Sequence, residues 1–157
     1  MKAPSPMQRA IQIAKKAFSC QEVPVGAILL HRGNFLAEAH NAVINTPDPT
    51  GHAEILVMRE GARLLGTPFL TECTLYVTLE PCPMCAQAMA WARLQRLCFG
   101  AYDQKRGGVE HGPRIFAQSS CPHRPEICGG IEEAACGALL TRFFVAKRSS
   151  PDSLSIS

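Results

Sequence analysis

The chain has 157 residues, 46% hydrophobic, 18% charged and 6% aromatic, with 16 Lys and Arg against 13 Asp and Glu for a net charge of +3. That length suits one domain and is too short for two full ones, and the apolar share excludes wholesale disorder. No apolar run approaches the roughly 18 residues of a membrane helix, and Lys2, Arg9, Lys15 and Lys16 interrupt any signal-peptide core. A cytoplasmic protein with no membrane association is expected. In a reducing compartment its eight cysteines point to metal binding or burial rather than to disulfides.

Met7, Ala10, Ile11, Ala14 and Phe18 recur at helical spacing, predicting an amphipathic packing helix over Pro6–Phe18. Val23–Leu30 is a nearly unbroken apolar run, as in a strand buried on both faces. The turn residues 31–34 lead into a second strand, Phe35–Val43, and the pair reads as a hairpin. Two prolines and a glycine make residues 45–51 a loop. His52–Leu65 follows as a helix with Ile55, Met58, Ala62 and Leu65 on its apolar stripe, stopped by Gly66 and Pro68.

Cys73–Leu79 is a β-branched, apolar third strand. Pro83 suits the first turn of a helix, which the alanines at 86, 88, 90 and 92 continue. Leu94–Ala101 is a fourth strand. Residues 102–124 form a long Gly- and Pro-rich loop with a short helix near 114–118, and loops of that length are usually functional or mobile. A short strand over Pro125–Gly130 precedes a last helix, Ile131–Lys147, with Ala134, Ala135, Ala138, Leu139, Phe143 and Ala146 turned inward. One domain over residues 1–148 and a disordered polar tail over 149–157 follow. Strands alternating with helices after a hairpin make the fold class α/β, with a mixed sheet between helices.

One pattern carries the chemistry: His52-Ala53-Glu54, then Pro81-Cys82-Pro83-Met84-Cys85. A Cys-x-x-Cys pair at a helix start aims two sulfurs at one point, and the helix N-terminus favours their thiolates. His52 adds a nitrogen. Two soft sulfurs and an imidazole suit zinc, and three protein ligands rather than four leave a position for water, as catalytic sites require. Zinc brings the pKa of a bound water to about 7, and a neighbouring carboxylate can carry its proton. Glu54 is that carboxylate, although two residues along a helix, about 200° of rotation, would point it away from His52.

A four-ligand structural zinc knob completed by Cys73, Cys98, Cys121, Cys128, His111 or His123 leaves Glu54 without a purpose. A redox Cys-x-x-Cys leaves His52 idle as well. Cys20, Cys73, Cys98 and Cys136 read as small core hydrophobes.

H-x-E…P-C-x-x-C is the known signature of zinc-dependent nucleobase deaminases, and the chain resembles the cytidine deaminase-like superfamily. Within it, the chain is similar to the bacterial tRNA-specific adenosine deaminases through residues 22–27 (EVPVGA), 48–55 (DPTGHAEI), 75–85 (LYVTLEPCPMC) and 99–101 (FGA). The resemblance spans most of residues 7–148. It implies a three-layer α/β/α fold with a five-stranded mixed sheet, a homodimer, one zinc ion per subunit, and hydrolytic deamination of adenosine to inosine at the tRNA wobble position. His52, Cys82 and Cys85 match the ligands and Glu54 the proton shuttle. Asn41 matches an asparagine contacting the target base, and Asp103 an acidic residue facing the nucleotide backbone. The implied partner is a tRNA anticodon stem-loop, with an ACG-anticodon arginine tRNA as the first substrate to test.

The chain departs from the family at residues 106–114 (RGGVEHGPR), where a short Gly-Ala turn is usual, and at Gly51, which replaces an alanine. Met84-Cys85 and Trp91-Ala92-Arg93 also resemble guanine deaminases of the superfamily. Lys105, Arg106, His111, Arg114, His123 and Arg124, with Arg142, Lys147 and Arg148 at the chain's last helix, are candidate phosphate contacts. Cations at a helix C-terminus also satisfy its dipole. Phe143 and Phe144 are candidates for base stacking or for the core. Two rival functions stand beside tRNA editing: deamination of free guanine or cytosine, and a non-catalytic, zinc-stabilised RNA-binding subunit.

Overall fold

A computed structural model describes residues 2–149. From residue 150 on, the expected tail lies outside the described residues. The elements are α1 (Pro6–Ser19), β1 (Gly26–His31), β2 (Asn34–His40), α2 (Ala53–Leu65), β3 (Cys73–Leu79), α3 (Pro83–Trp91), β4 (Arg96–Ala101), a 3₁₀ turn (Ile115–Ala117), β5 (Glu126–Cys128) and α4 (Glu133–Arg148). The strands form one sheet in the order β2-β1-β3-β4-β5. β1 runs antiparallel to β2 and to β3, whereas β4 is parallel to β3 and β5 is parallel to β4. β1 is therefore the one reversed strand, and β2, β3, β4 and β5 all end at the same edge. Every element expected from the sequence is present, and the expected five-stranded mixed sheet between two helical layers is the observed fold.

Alternation along the strands divides the core. Leu29, Leu75, Val77, Leu97 and Phe99 face α2 and α3, which bring Ala53, Val57, Cys85 and Met89 against them. Ile28 and Tyr76 face α1 and α4, which contribute Met7, Ala10, Ile13 and Cys136. Helix α1 starts where its residues predict. Ser5 and Gln8 cap each other reciprocally, and Pro6 occupies a first-turn position whose N–H would have no partner.

The expected helix stripes need correction. In α1 Ile13 and Ala17 are buried with Met7, Ala10 and Ala14, while Ile11 and Phe18 stay half-covered. In α2 the sheet-facing residues are Ala53, Val57 and Gly61. Met58 of the expected stripe is buried with them, whereas Ile55, Ala62 and Leu65 are half-covered, and Ile55 and Ala62 line a trough shared with Ala88 and Trp91 of α3. In α4 only Cys136, Leu139 and Phe143 are buried, and Ala134, Ala135, Ala138 and Ala146 are exposed. Alanine is a weak marker of facing because it favours a helix equally on either side. Val23–Val25 is not strand: a tight Val25 N–H to Val23 carbonyl bond turns the chain before β1. Cys73, Cys98 and Cys136 are buried as expected, but Cys20 is exposed beyond the end of α1.

Helix α1 packs directly on the backbone of Gly26. A Cβ there would meet the Ala10 carbonyl oxygen and lie 2.6 Å from Ala14 N, both backbone atoms of α1. Gly26→Ala should therefore destabilise the fold by about 1–3 kcal/mol, the cost of overpacking. Gly137→Ala in α4, where an added Cβ meets nothing within 4 Å, should be neutral or stabilise by up to about 1 kcal/mol. Urea unfolding of the two variants beside the native chain checks both.

Candidate metal centre and active site

The shared sheet edge collects the candidate residues. Asn41 follows β2, Cys82 follows β3 and Asp103 follows β4. His52 and Cys82 are the N-cap residues of α2 and α3, both with extended backbone, and neither side chain caps its own helix. For α2 that task falls to Asn41, whose Oδ1 accepts the Ala53 N–H at 2.8 Å. For α3, Pro83 in the first turn removes one donor. The ring of His52 and the sulfur of Cys82 are thereby left to face each other.

The Nδ1 atom of His52 lies 3.5 Å from the sulfur of Cys82 and 3.5 Å from that of Cys85. Among the described residues these three form the one cluster of possible metal donors, all ligand atoms lying within 4.8 Å of one another. A hydrogen bond from Cys85, joined by the His52 imidazole, holds the Cys82 thiol down to about 4. The same bond to Cys82, with burial, pushes the Cys85 thiol up. The hydrogen bond to Cys82 and the nearby Glu54 raise His52. A cluster that readily yields a thiolate beside an imidazole nitrogen and a second sulfur fits zinc. None of the expected fourth ligands joins the cluster: His111 binds Glu80, His123 reaches the Leu94 carbonyl, the Cys121 thiol donates to the His123 carbonyl, Cys73 and Cys98 are buried, and Cys128 is exposed.

Glu54 is 4% exposed, and it faces the cluster rather than pointing away. Because His52 lies outside the helix with ψ of 145°, the helical rotation between residues 52 and 54 does not apply. Burial pushes the Glu54 carboxyl up to about 7, and the neighbouring Cys82 adds to the rise. A carboxyl held there can both accept and return a proton near neutral pH.

Two buried carboxylates escaped the motif reading. Glu22, 1% exposed, accepts the N–H groups of Ile44 and Asn45 at 2.6 and 3.0 Å and holds the loop between β2 and α2. That loop also closes where Gly51 touches the Ala42 carbonyl, a spot where a Cβ would come within 2.9 Å. Glu80, 2% exposed, takes N–H groups from Asp103, Val109, Glu110 and His111 and the His111 ring at 2.8 Å. Burial alone would raise its carboxyl, but the hydrogen bonds from Asp103, His111, Glu110 and Val109 outweigh it and hold it below the usual carboxylate range. The available signal was a lone acid beside each motif in an otherwise apolar stretch.

The long loop is consequently ordered. Besides Glu80, it is held by buried Val109 and Phe116 and by a Gly108 N–H to Pro81 carbonyl bond of 2.8 Å. Asp103 is part of this fabric, its Oδ1 accepting the Lys105 and Arg106 N–H groups at 3.1 and 3.0 Å. Of the candidate phosphate contacts, Arg124 is spent on the Phe116 and Gln118 carbonyls, and Arg114 lies 3.9 Å from Glu110. Lys105 and Arg106 are exposed beside the site. Phe143 is core, packed edge-on against Phe18, whereas Phe144 is 46% exposed.

Comparison with known proteins agrees with this geometry. The family model of the cytidine and deoxycytidylate deaminase zinc-binding region matches residues 2–101. A tRNA-specific adenosine deaminase of Agrobacterium fabrum is 43% identical over 142 residues, 90% of this chain and 93% of the relative. A solved structure from work on A-to-I editing by tRNA:A34 deaminases at the transfer RNA wobble position superposes with a TM-score of 0.84 at 42% identity, covering 85% of this chain and 97% of that one. The guanine deaminase of Nitrosomonas europaea, at 19% identity and a TM-score of 0.77 over 92% of this chain and 86% of its own, shares the fold alone. Matched over nearly its whole length and carrying the zinc donors at one sheet edge, the chain belongs to the tRNA-specific adenosine deaminases, within the zinc-binding cytidine and deoxycytidylate deaminase family.

Proposed function

We propose that this protein hydrolyses the 6-amino group of adenosine at the wobble position of tRNA, leaving inosine. The observation that carries the reading is the buried Glu54 set against the His52, Cys82 and Cys85 donors. It is supported by relatives above 40% identity named for tRNA adenosine deamination.

His52, Cys82 and Cys85 would hold a zinc ion, which would supply the Lewis acid that makes water nucleophilic at neutral pH. Glu54 accepts a proton from the attacking water and delivers it to the ring nitrogen next to adenine C6, then carries the proton of the new C6 hydroxyl to the amine, so that the C–N bond breaks, ammonia leaves and the C6 carbonyl of inosine remains. Asn41 has its Oδ1 committed to Ala53, so its amide NH₂ is the group free to meet the base. Asp103 keeps one carboxylate oxygen beyond its loop bonds, which suits a sugar hydroxyl better than a phosphate.

The base must leave its stack to reach this edge, and an unpaired anticodon loop lowers that cost. Lys105 and Arg106 suit the phosphates of that loop, and this reading keeps the protein in the cytoplasm with its tRNA. The expected homodimer has a candidate surface in the trough between α2 and α3, where Trp91 is 67% exposed.

Glu54→Ala should keep fold and zinc content while lowering turnover by about 10²–10⁴-fold, the range for a lost general acid–base group. Metal analysis and a single-turnover assay check it, and retained turnover removes Glu54 from the chemistry. An arginine tRNA transcript with an ACG anticodon should show A read as G at the wobble position after reverse transcription. Ammonia release from free guanine or cytosine, without RNA conversion, would assign the same site to free bases instead. Asn41→Ala removes the α2 cap and should cost about 1 kcal/mol of stability as well as weakening substrate binding, which thermal melts and KM separate.

A further inference from the structure

A carboxylate that is almost wholly buried is costly unless its oxygens are matched by donors. Glu80 meets that condition in an unusual way. None of its donors is a Lys or Arg side chain. Four are backbone N–H groups of residues 103, 109, 110 and 111, and the fifth is the Nδ1 of His111. One acid at the end of β3 thus gathers both ends of the loop segment 103–111. That loop lies directly on the metal-binding helix start: a Cβ on Gly108 would fall 2.5 Å from Pro83 N, and one on Gly107 would strike the Glu80 carboxylate. The same segment carries Asp103, Lys105 and Arg106. The His111 ring is stacked edge-on against Tyr102, 6.1 Å between centroids, and its side chain stays 30% exposed.

We propose that Glu80 is a positioning residue for RNA binding: its buried carboxylate pins the 103–111 loop beside the donor cluster and so sets the loop's polar groups against the incoming strand. The inference rests on the tRNA reading above. Glu80 acts on how substrate is held, not on bond breaking. Its nearest metal donor, Cys82, is separated from it by Pro81, whose carbonyl is itself bonded to Gly108.

The test compares the zinc-loaded native chain with Glu80→Gln, His111→Ala and the double variant on an anticodon stem-loop RNA with adenosine at the wobble position. Glu80→Gln presents an NH₂ to donors and should break the cradle. His111→Ala removes one partner from the half-exposed side and guards against a Glu80 variant that does not fold. Expected are unchanged zinc content, faster amide exchange at 109–111, and KM raised by about tenfold in Glu80→Gln, the scale of one lost hydrogen bond to a charged group. The value of kcat should stay within about twofold, and the double variant should lose less than the sum of the singles, because the two groups share one interaction.

Faster exchange with KM unchanged overturns the positioning role, because the anchor would then be purely structural. Lost zinc, or a fall in kcat with KM unchanged, overturns it in favour of an effect on the reacting atoms. A native chain that neither binds nor edits the RNA overturns the tRNA reading itself, and the positioning role with it, whereas native activity with an indifferent Glu80 variant removes the positioning role alone.

Discussion

The site depends on two helices beginning at one place without using their first side chains as caps. A helix N-terminus leaves N–H groups without partners, and a polar residue at the cap position normally takes one of them. Here the cap positions hold His52 and Cys82, and both side chains face the donor cluster instead. The outstanding bond is made from outside α2, by Asn41, and α3 has a proline in its first turn. Both substitutions for a cap leave the imidazole and thiolate in the field of two N-termini, where negative charge on sulfur is favoured.

Topology makes that convergence possible. With β1 as the one reversed strand, the chain leaves β2, β3 and β4 at a single edge, so Asn41, Glu80 with Cys82, and Asp103 arrive together from distant parts of the sequence. Ligand sites in open α/β sheets form at the carboxyl ends of strands for this reason. The rest of the sheet supplies a rigid support, with Leu29, Leu75, Val77, Leu97 and Phe99 almost completely buried beneath α2 and α3.

Three buried acids show how partners decide what a carboxylate does. Glu22 and Glu80 are ringed by backbone N–H groups and act as fasteners for the two loops that border the cluster. Glu54 has no such ring, and burial raises its carboxyl to about 7. A ring of backbone donors holds Glu80 below the usual carboxylate range, whereas burial without such a ring raises Glu54.

Sequence by itself determined the order of elements, the mixed α/β class and the three candidate zinc donors His52, Cys82 and Cys85. Turn residues, apolar runs and the spacing of His52, Glu54, Cys82 and Cys85 are local signals that need no knowledge of what packs where. Tertiary structure decided which helix faces are covered, since Ile55 and Ala62 of the expected α2 stripe line a trough while Met58 is buried and Ala53, Val57 and Gly61 meet the sheet. It turned Glu54 toward the cluster by leaving His52 outside the helix, converted Arg124 from a candidate phosphate contact into a loop fastener, and gave fixed partners to a segment whose length marks it as functional or mobile. Each depends on partners from residues distant in the chain, as Glu80 does on residues 103–111, and such pairings are set by the sheet's topology rather than by any periodicity along the chain.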